Sequence, residues 1–194
     1  MGNRIITISR QFGSGGRTVG KELAAKLGIP CYDAEIITKI AEESGFDPEY
    51  VKERGEYANG GSWLAHAFSD RDRNGHSYQD DLWAIQRKII LELAEKGPCV
   101  IVGRCADYIL RDNPDCLRVF IHADMESRAK RIVEQYGERN DAPAKRLKDK
   151  DKRRAAYYQF YTEMKWGAVE NYHVTLNSGV LGIEKCVDIL AGLY

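Results

Sequence analysis

Residues 4–28 read R-I-I-T-I-S-R-Q-F-G-S-G-G-R-T-V-G-K-E-L-A-A-K-L-G. Ile5, Ile6, Thr7 and Ile8 form a β-branched run of the kind that makes a buried strand. The run breaks at a glycine-rich turn, Gly13-Ser14-Gly15-Gly16. Val19, Leu23, Ala24 and Leu27 then recur at helical spacing and stop at Gly28. Strand, glycine loop and helix is the local order that a phosphate cradle requires. Glycines let backbone N–H groups turn inward, and the helix N-terminus adds the positive end of its dipole.

The loop departs from the P-loop pattern G-x-x-x-x-G-K-[ST]. With Thr18 as its last residue Gly16 fits, but Gln11 stands for the first glycine and Arg17 for the lysine. Thr18 takes the place of the hydroxyl that ligates magnesium. Spacing alone leaves two readings open: a phosphate site, or a glycine-rich turn in another α/β fold.

At 194 residues with zero formal net charge, the chain suits one α/β domain, with no global field to recruit nucleic acid or membrane. Cys31, Cys99, Cys105, Cys116 and Cys186 lack C-x-x-C spacing, which fits reduced thiols in a cytoplasm. Cys99 and Cys186 lie in apolar runs and are expected in the core. With no leader-like segment and no membrane-spanning apolar run, the expected location is cytoplasmic.

Outward from the loop, Ile29–Asp33 reads as a second strand and residues 36–41 as a helix, with Asp33 at the ligand-binding end of its strand or as an N-cap. Residues 46–80 carry glycines, aromatics and the charge run Asp70-Arg71-Asp72-Arg73, the texture of a lid or binding loop. Leu82–Lys96 is a helix with Leu82, Ile85, Ile89 and Leu93 on one face. Cys99–Val102 is a strand apolar on both faces, ending in Gly103-Arg104. Arg104 at a strand end is a candidate anion ligand, with a structural ion pair as the alternative.

Leu117–His122 is a further strand, and the helix from Met125 to Tyr136 sets Arg128 and Arg131 on one face. Lys145–Arg154 holds seven cations against two acids and runs into Tyr157, Phe160 and Tyr161. That segment reads as a cationic lid, as the core-facing stripe of a helix, or as a single-stranded nucleic-acid surface. Tyr172–Leu176, a turn at Asn177-Ser178-Gly179 and a helix over Gly182–Leu193 close the chain. Such alternation predicts a parallel sheet with helices on both faces.

Several stretches together resemble the cytidylate-kinase-like family of P-loop nucleoside monophosphate kinases. They are I-T-I-S-R-Q-F-G-S-G-G-R-T-V-G-K-E-L-A, Y-D-A-E-I-I, C-V-I-V-G-R-C-A-D, L-R-V-F-I-H-A-D-M-E-S-R-A-K-R, D-K-R-R-A-A-Y-Y-Q-F-Y-T and L-N-S-G-x-L-G-I-E. The resemblance implies a three-layer α/β/α domain over residues 1–194, an acceptor-binding insert at about 34–95 and a lid at about 136–158. It implies transfer of the γ-phosphoryl of ATP to a nucleoside monophosphate, with Mg2+. Gly13, Ser14, Gly15, Gly16, Arg17 and Thr18 would then hold the ATP phosphates, with Thr18 on the metal. Arg104 matches the arginine that binds the monophosphate, Arg128 and Arg131 those leading into the lid. Arg154 and Asp151 match the lid's phosphate-facing arginine and its acceptor-facing acid.

Departures from the family pattern are specific. In the family register Arg10 replaces the first glycine, Gly16 the lysine and Arg17 an extra glycine. Val102 and Cys105 stand where cytidylate kinases have acids flanking G-R, and Ala34 where they have a serine. These changes remove most of the cytosine-reading residues, so the resemblance leaves open whether CMP or another nucleoside monophosphate is the acceptor. The expectation is a nucleotide kinase in which Arg17 serves for the lysine, Arg17, Arg128, Arg131 and Arg154 act in catalysis, and Asp33, Arg104 and Asp151 meet the acceptor. A non-catalytic nucleotide sensor is the main alternative, and a nucleic-acid partner is the weakest. The oligomeric state is not legible.

Overall fold

The computed structural model describes residues 5–33, 78–137, 139 and 141–194. The helix expected at 36–41, most of the 46–80 segment and Arg71 and Arg73 lie outside the described residues.

Five parallel strands form one sheet in the order β2-β3-β1-β4-β5: β1 Ile5–Arg10, β2 Cys31–Tyr32, β3 Cys99–Val102, β4 Cys116–His122 and β5 Val174–Asn177. The inner strands are apolar on both faces because both faces are covered. On one face Ile6, Ile8, Val100, Val102, Val119 and Ile121 pack against Val19 and Leu23 of α1 (Gly16–Leu27) and Cys186 and Leu190 of the terminal helix Ile183–Gly192. On the other, Ile5, Cys99, Ile101 and Cys116 meet Ile90 and Ala94 of α2 (Tyr78–Glu95) and Ala106 and Ile109 of α3 (Ala106–Ile109). This is the expected three-layer α/β/α arrangement. Cys99 and Cys186 are fully buried, as their apolar settings predict.

Helix α4 (Met125–Glu134) starts on an Asp124 cap, whose carboxylate accepts from Ser127 N. Residues Pro143–Thr162 form one continuous helix, α5, entered through Pro143. Two local expectations change. Asn177-Ser178-Gly179 opens a helical turn, α6 (Ser178–Leu181), because the Asn177 side chain accepts from Gly179 N and Val180 N. Of the aromatic stripe on α5, Tyr157 is buried between Trp83 and Tyr161, whereas Phe160 packs edge-on against the outer side of that group at Tyr161 and stays exposed. No helix among the described residues is long and apolar enough to cross a membrane.

The chain runs from β1 toward β2 and β3 on one side and returns to β4 and β5 on the other. Ligands in open α/β sheets bind outside the strand ends at such a reversal. The glycine loop and Arg104 both sit at that edge.

Candidate active site

Gln11 extends the β1–β4 ladder through its N–H to Ile121 O, and Ser14 N closes the turn on Gln11 O. Gly13 and Gly15 have φ of 77° and 79°, a region that costs other residues about 1–2 kcal/mol. The first i→i−4 bond of α1 is Val19 N to Gly15 O, 2.9 Å. The N–H groups of Gly16, Arg17 and Thr18 therefore have no acceptor within the helix, and they emerge at its positive end. That end is suited to anions. Thr18 is half-buried on this first turn. The Ser14 hydroxyl belongs to the scaffold instead: it is fully buried and donates to Gln11 O and Ile121 O.

Arginines from two helices grip the same loop. On α4, Arg128 Nη1 donates to Phe12 O at 3.2 Å and to Asp151 Oδ2 at 2.5 Å, and Arg131 Nη1 to Gly13 O at 2.9 Å. On α5, Arg154 Nη1 donates to Arg10 O at 3.2 Å. Asp151 accepts the Phe12 N–H at 2.7 Å on its other oxygen. In this state both Asp151 oxygens engage the loop and its arginine, which puts this acid at the glycine loop.

Arg104 is buried at the end of β3 in an unusual backbone. Gly103, Arg104 and Cys105 take φ of 81°, 55° and 52°, three left-handed residues in succession. Two of them are not glycine, and such strain of order 1–3 kcal/mol per residue concentrates at functional sites. Three residues on, the buried Asp107 accepts from Ser9 Oγ at 2.9 Å and Tyr158 OH at 2.8 Å. Burial raises its pKa above the usual carboxylate range against the lowering effect of both bonds.

Asp33 and Arg17 come together at the start of α1. Arg17 Nε lies 2.7 Å from Asp33 Oδ2, with Lys21 Nζ at 3.6 Å from the same oxygen. Arg17 is thus anchored on Asp33, and Asp33 is already neutralised by cations. Among the described residues no three histidines, cysteines or acids cluster as metal ligands.

Ser9, Arg10, Gly103, Arg104, Arg154 and Tyr157 line a pocket of about 30 Å³, which Tyr158 and Trp166 help to wall. Arg10 and Asp107 are the site residues that motif reading passed over. The signals were a cation in the register of a family glycine, and the acid of G-R-C-A-D.

The sequence profile of the cytidylate kinase-like family matches residues 5–180. The chain belongs to the cytidylate kinase-like family. A cytidylate kinase from Archaeoglobus fulgidus is 29% identical over 192 residues, covering 95% of this chain and 91% of the relative. A solved structure of an uncharacterized protein from Eubacterium ventriosum is 30% identical, with a TM-score of 0.74 and coverage of 98% and 97% of the two chains. Shikimate kinase from Bacteroides thetaiotaomicron shares the fold alone, at 19% identity and a TM-score of 0.57, covering 98% of this chain and 97% of its own. Membership in the cytidylate kinase-like family sets this chain among nucleotide kinases with a P-loop kinase fold.

Proposed function

We propose that the protein transfers the γ-phosphoryl group of ATP to a nucleoside monophosphate other than CMP. The observation that carries this reading is the convergence of Arg128, Arg131 and Arg154, from two helices, on the carbonyls of residues 10–13. Phosphoryl transfer asks for positioning and for cations around a highly charged transition state, and this loop is ringed by them.

An ionised oxygen of the acceptor phosphate bonds to the γ-phosphorus while the bond to the β–γ bridging oxygen breaks. That bond's electron pair leaves on ADP, so no proton needs to be moved. The N–H groups of Gly16, Arg17 and Thr18 and the glycine turn hold the donor phosphates. Arg104 holds the acceptor phosphate, its planar fork matching two oxygens. Arg128, Arg131 and Arg154 trade loop carbonyls for phosphoryl oxygens as ligand binds, with Asp151 keeping Arg128 in place. Arg17 and Lys21 hold Asp33 toward the acceptor. Magnesium, bound through Thr18 and the phosphates, would supply charge neutralisation on the transferring group. Cys105, in place of an acid, removes a cytosine-reading group.

The test is ADP release from ATP and magnesium across a panel of ribo- and deoxynucleoside monophosphates, with CMP included. The expected result is turnover with at least one acceptor that exceeds turnover with CMP, and loss of that turnover in Arg104→Ala. Nucleotide binding without ADP release from any acceptor would replace this reading with a sensor, which the buried Val102 at the family's acid position favours.

A further inference from the structure

Asp107 joins the three segments that wall the pocket. Ser9 Oγ, at the end of β1, donates to Asp107 Oδ1 at 2.9 Å, and Tyr158 OH, on α5, donates to Asp107 Oδ2 at 2.8 Å. Two further bonds fasten the same segments: Gly103 N to Ile8 O at 3.0 Å and Arg154 Nη1 to Arg10 O at 3.2 Å. Arg154 and Tyr158, four residues apart on α5, share a face. The end of β1, the turn after β3 and α5 are thus tied to one another pairwise. Ser9, Gly103, Arg104, Arg154 and Tyr158, which carry or adjoin these ties, all line the pocket. Asp107 does not. It is 2% exposed and lies behind Ser9 and Tyr158.

The turn it serves needs holding. Gly103, Arg104 and Cys105 are left-handed in succession, and strain of this kind persists only where the surroundings over-determine it. Asp107 supplies part of that determination from the first turn of α3, three residues past Arg104. We infer that Asp107 is a positioning residue for the acceptor: by tying Ser9 and Tyr158 to α3 it fixes the backbone of Arg104, and so the direction of its side chain, against α5. It meets no phosphate itself and acts through Arg104. The inference rests on the proposed place of Arg104 at the acceptor monophosphate, but not on phosphoryl transfer. Loss of both hydrogen bonds to Asp107 corresponds to about tenfold in affinity.

The experiment measures binding of AMP, CMP, GMP and UMP by calorimetry, and of magnesium ATP as a second arm. It compares the full chain with Asp107→Ala, Asp107→Asn, Arg104→Ala and the double variant of Arg104→Ala with Asp107→Ala, using circular dichroism to confirm folding. Asp107→Ala is expected to weaken the best-bound monophosphate about tenfold, while magnesium ATP changes by about twofold at most. Asp107→Asn, which still offers one acceptor oxygen, should fall between Asp107→Ala and the wild type. The double variant should be weaker than Arg104→Ala by about twofold at most, because a residue that acts through Arg104 adds nothing once Arg104 is gone. If Asp107→Ala does not fold, Asp107→Asn takes its place throughout and is held to a loss of about threefold, one bond being lost instead of two. Unchanged monophosphate affinity, an equal loss for magnesium ATP, or losses that multiply in the double variant each overturn the inference. Absence of ADP release in the wild type removes the kinase reading alone, since Asp107 is judged on binding. A wild type that binds none of the four monophosphates overturns both.

Discussion

Asp107 shows how one residue is shaped by its surroundings. It is almost fully buried, its partners Ser9 and Tyr158 are uncharged, and its pKa is raised, with desolvation the largest cause and Arg118 a small opposing one. A carboxyl whose folded pKa exceeds its unfolded value binds more protons in the folded state. Its contribution to stability is therefore greatest below the unfolded pKa of about 3.9 and falls as pH rises toward the folded value. Asp107→Asn keeps the shape and removes that slope. Thermal unfolding from pH 4 to 7 should show the variant gaining on the wild type as pH rises; parallel curves would mean that Asp107 is not desolvated in the folded protein. Asp151, by contrast, has a charged partner. It meets the Arg128 guanidinium, whose side chain is 6% exposed, and the Phe12 N–H. Asp151→Ala leaves that cation buried alone, and urea unfolding should show a loss of about 3 kcal/mol. A loss under about 1 kcal/mol, the range of exposed pairs, would remove the pair as a strut of the loop. Neither acid's partner could be read from spacing. Both depend on which side chains the folded chain sets opposite them, and these lie on other elements.

At the scale of elements, the glycine loop is held as much by apolar packing as by arginines. A Cβ on Gly13 would come within about 3 Å of Ile132 Cγ2, Arg128 O and Leu147 Cδ2, so α4 and α5 close directly on the turn. Ile132 and Leu147 are both fully buried. Truncating either to alanine should cost about 2–5 kcal/mol. Because both fill one space around Gly13, the double variant should cost measurably less than the sum. Strict additivity in chemical denaturation would mean that the two helices pack independently. The strand and helix periods of β1, α1, α2 and β3 were legible because burial on a fixed side repeats along each element. The course of α5 was less so: its first half is dense in charge and its second half aromatic, and only tertiary packing joins them into one helix. Phe160 escaped the pattern for the same reason. A stripe three or four residues apart marks a face, but the width of the partner, here Trp83, decides how much of that face is covered.

Across the whole molecule, a chain of zero net charge has gathered arginines from β1, β3, α4 and α5 at one edge of its sheet. That edge was foreseeable from alternation of strand and helix, and Arg104, Arg128, Arg131 and Arg154 do meet there. The anchoring of Arg17 on Asp33 was not foreseeable, because Arg17 opens α1 and Asp33 follows β2. A polyanion that binds this edge only in the folded chain stabilises the fold. Ligand at 100 times its dissociation constant adds about 2.7 kcal/mol to stability. For a chain of this size that corresponds to a rise in melting temperature of about 5–10 °C. Magnesium ATP should produce such a rise at low salt, and the rise should shrink as sodium chloride is increased toward 1 M, where the Debye length falls to about 3 Å. Adenosine at the same concentration should leave the melting temperature nearly unmoved, since it carries no phosphate charge for the arginines to meet. An equal rise with adenosine and ATP would place the binding energy in the base and remove the charged edge as the anchor of the nucleotide.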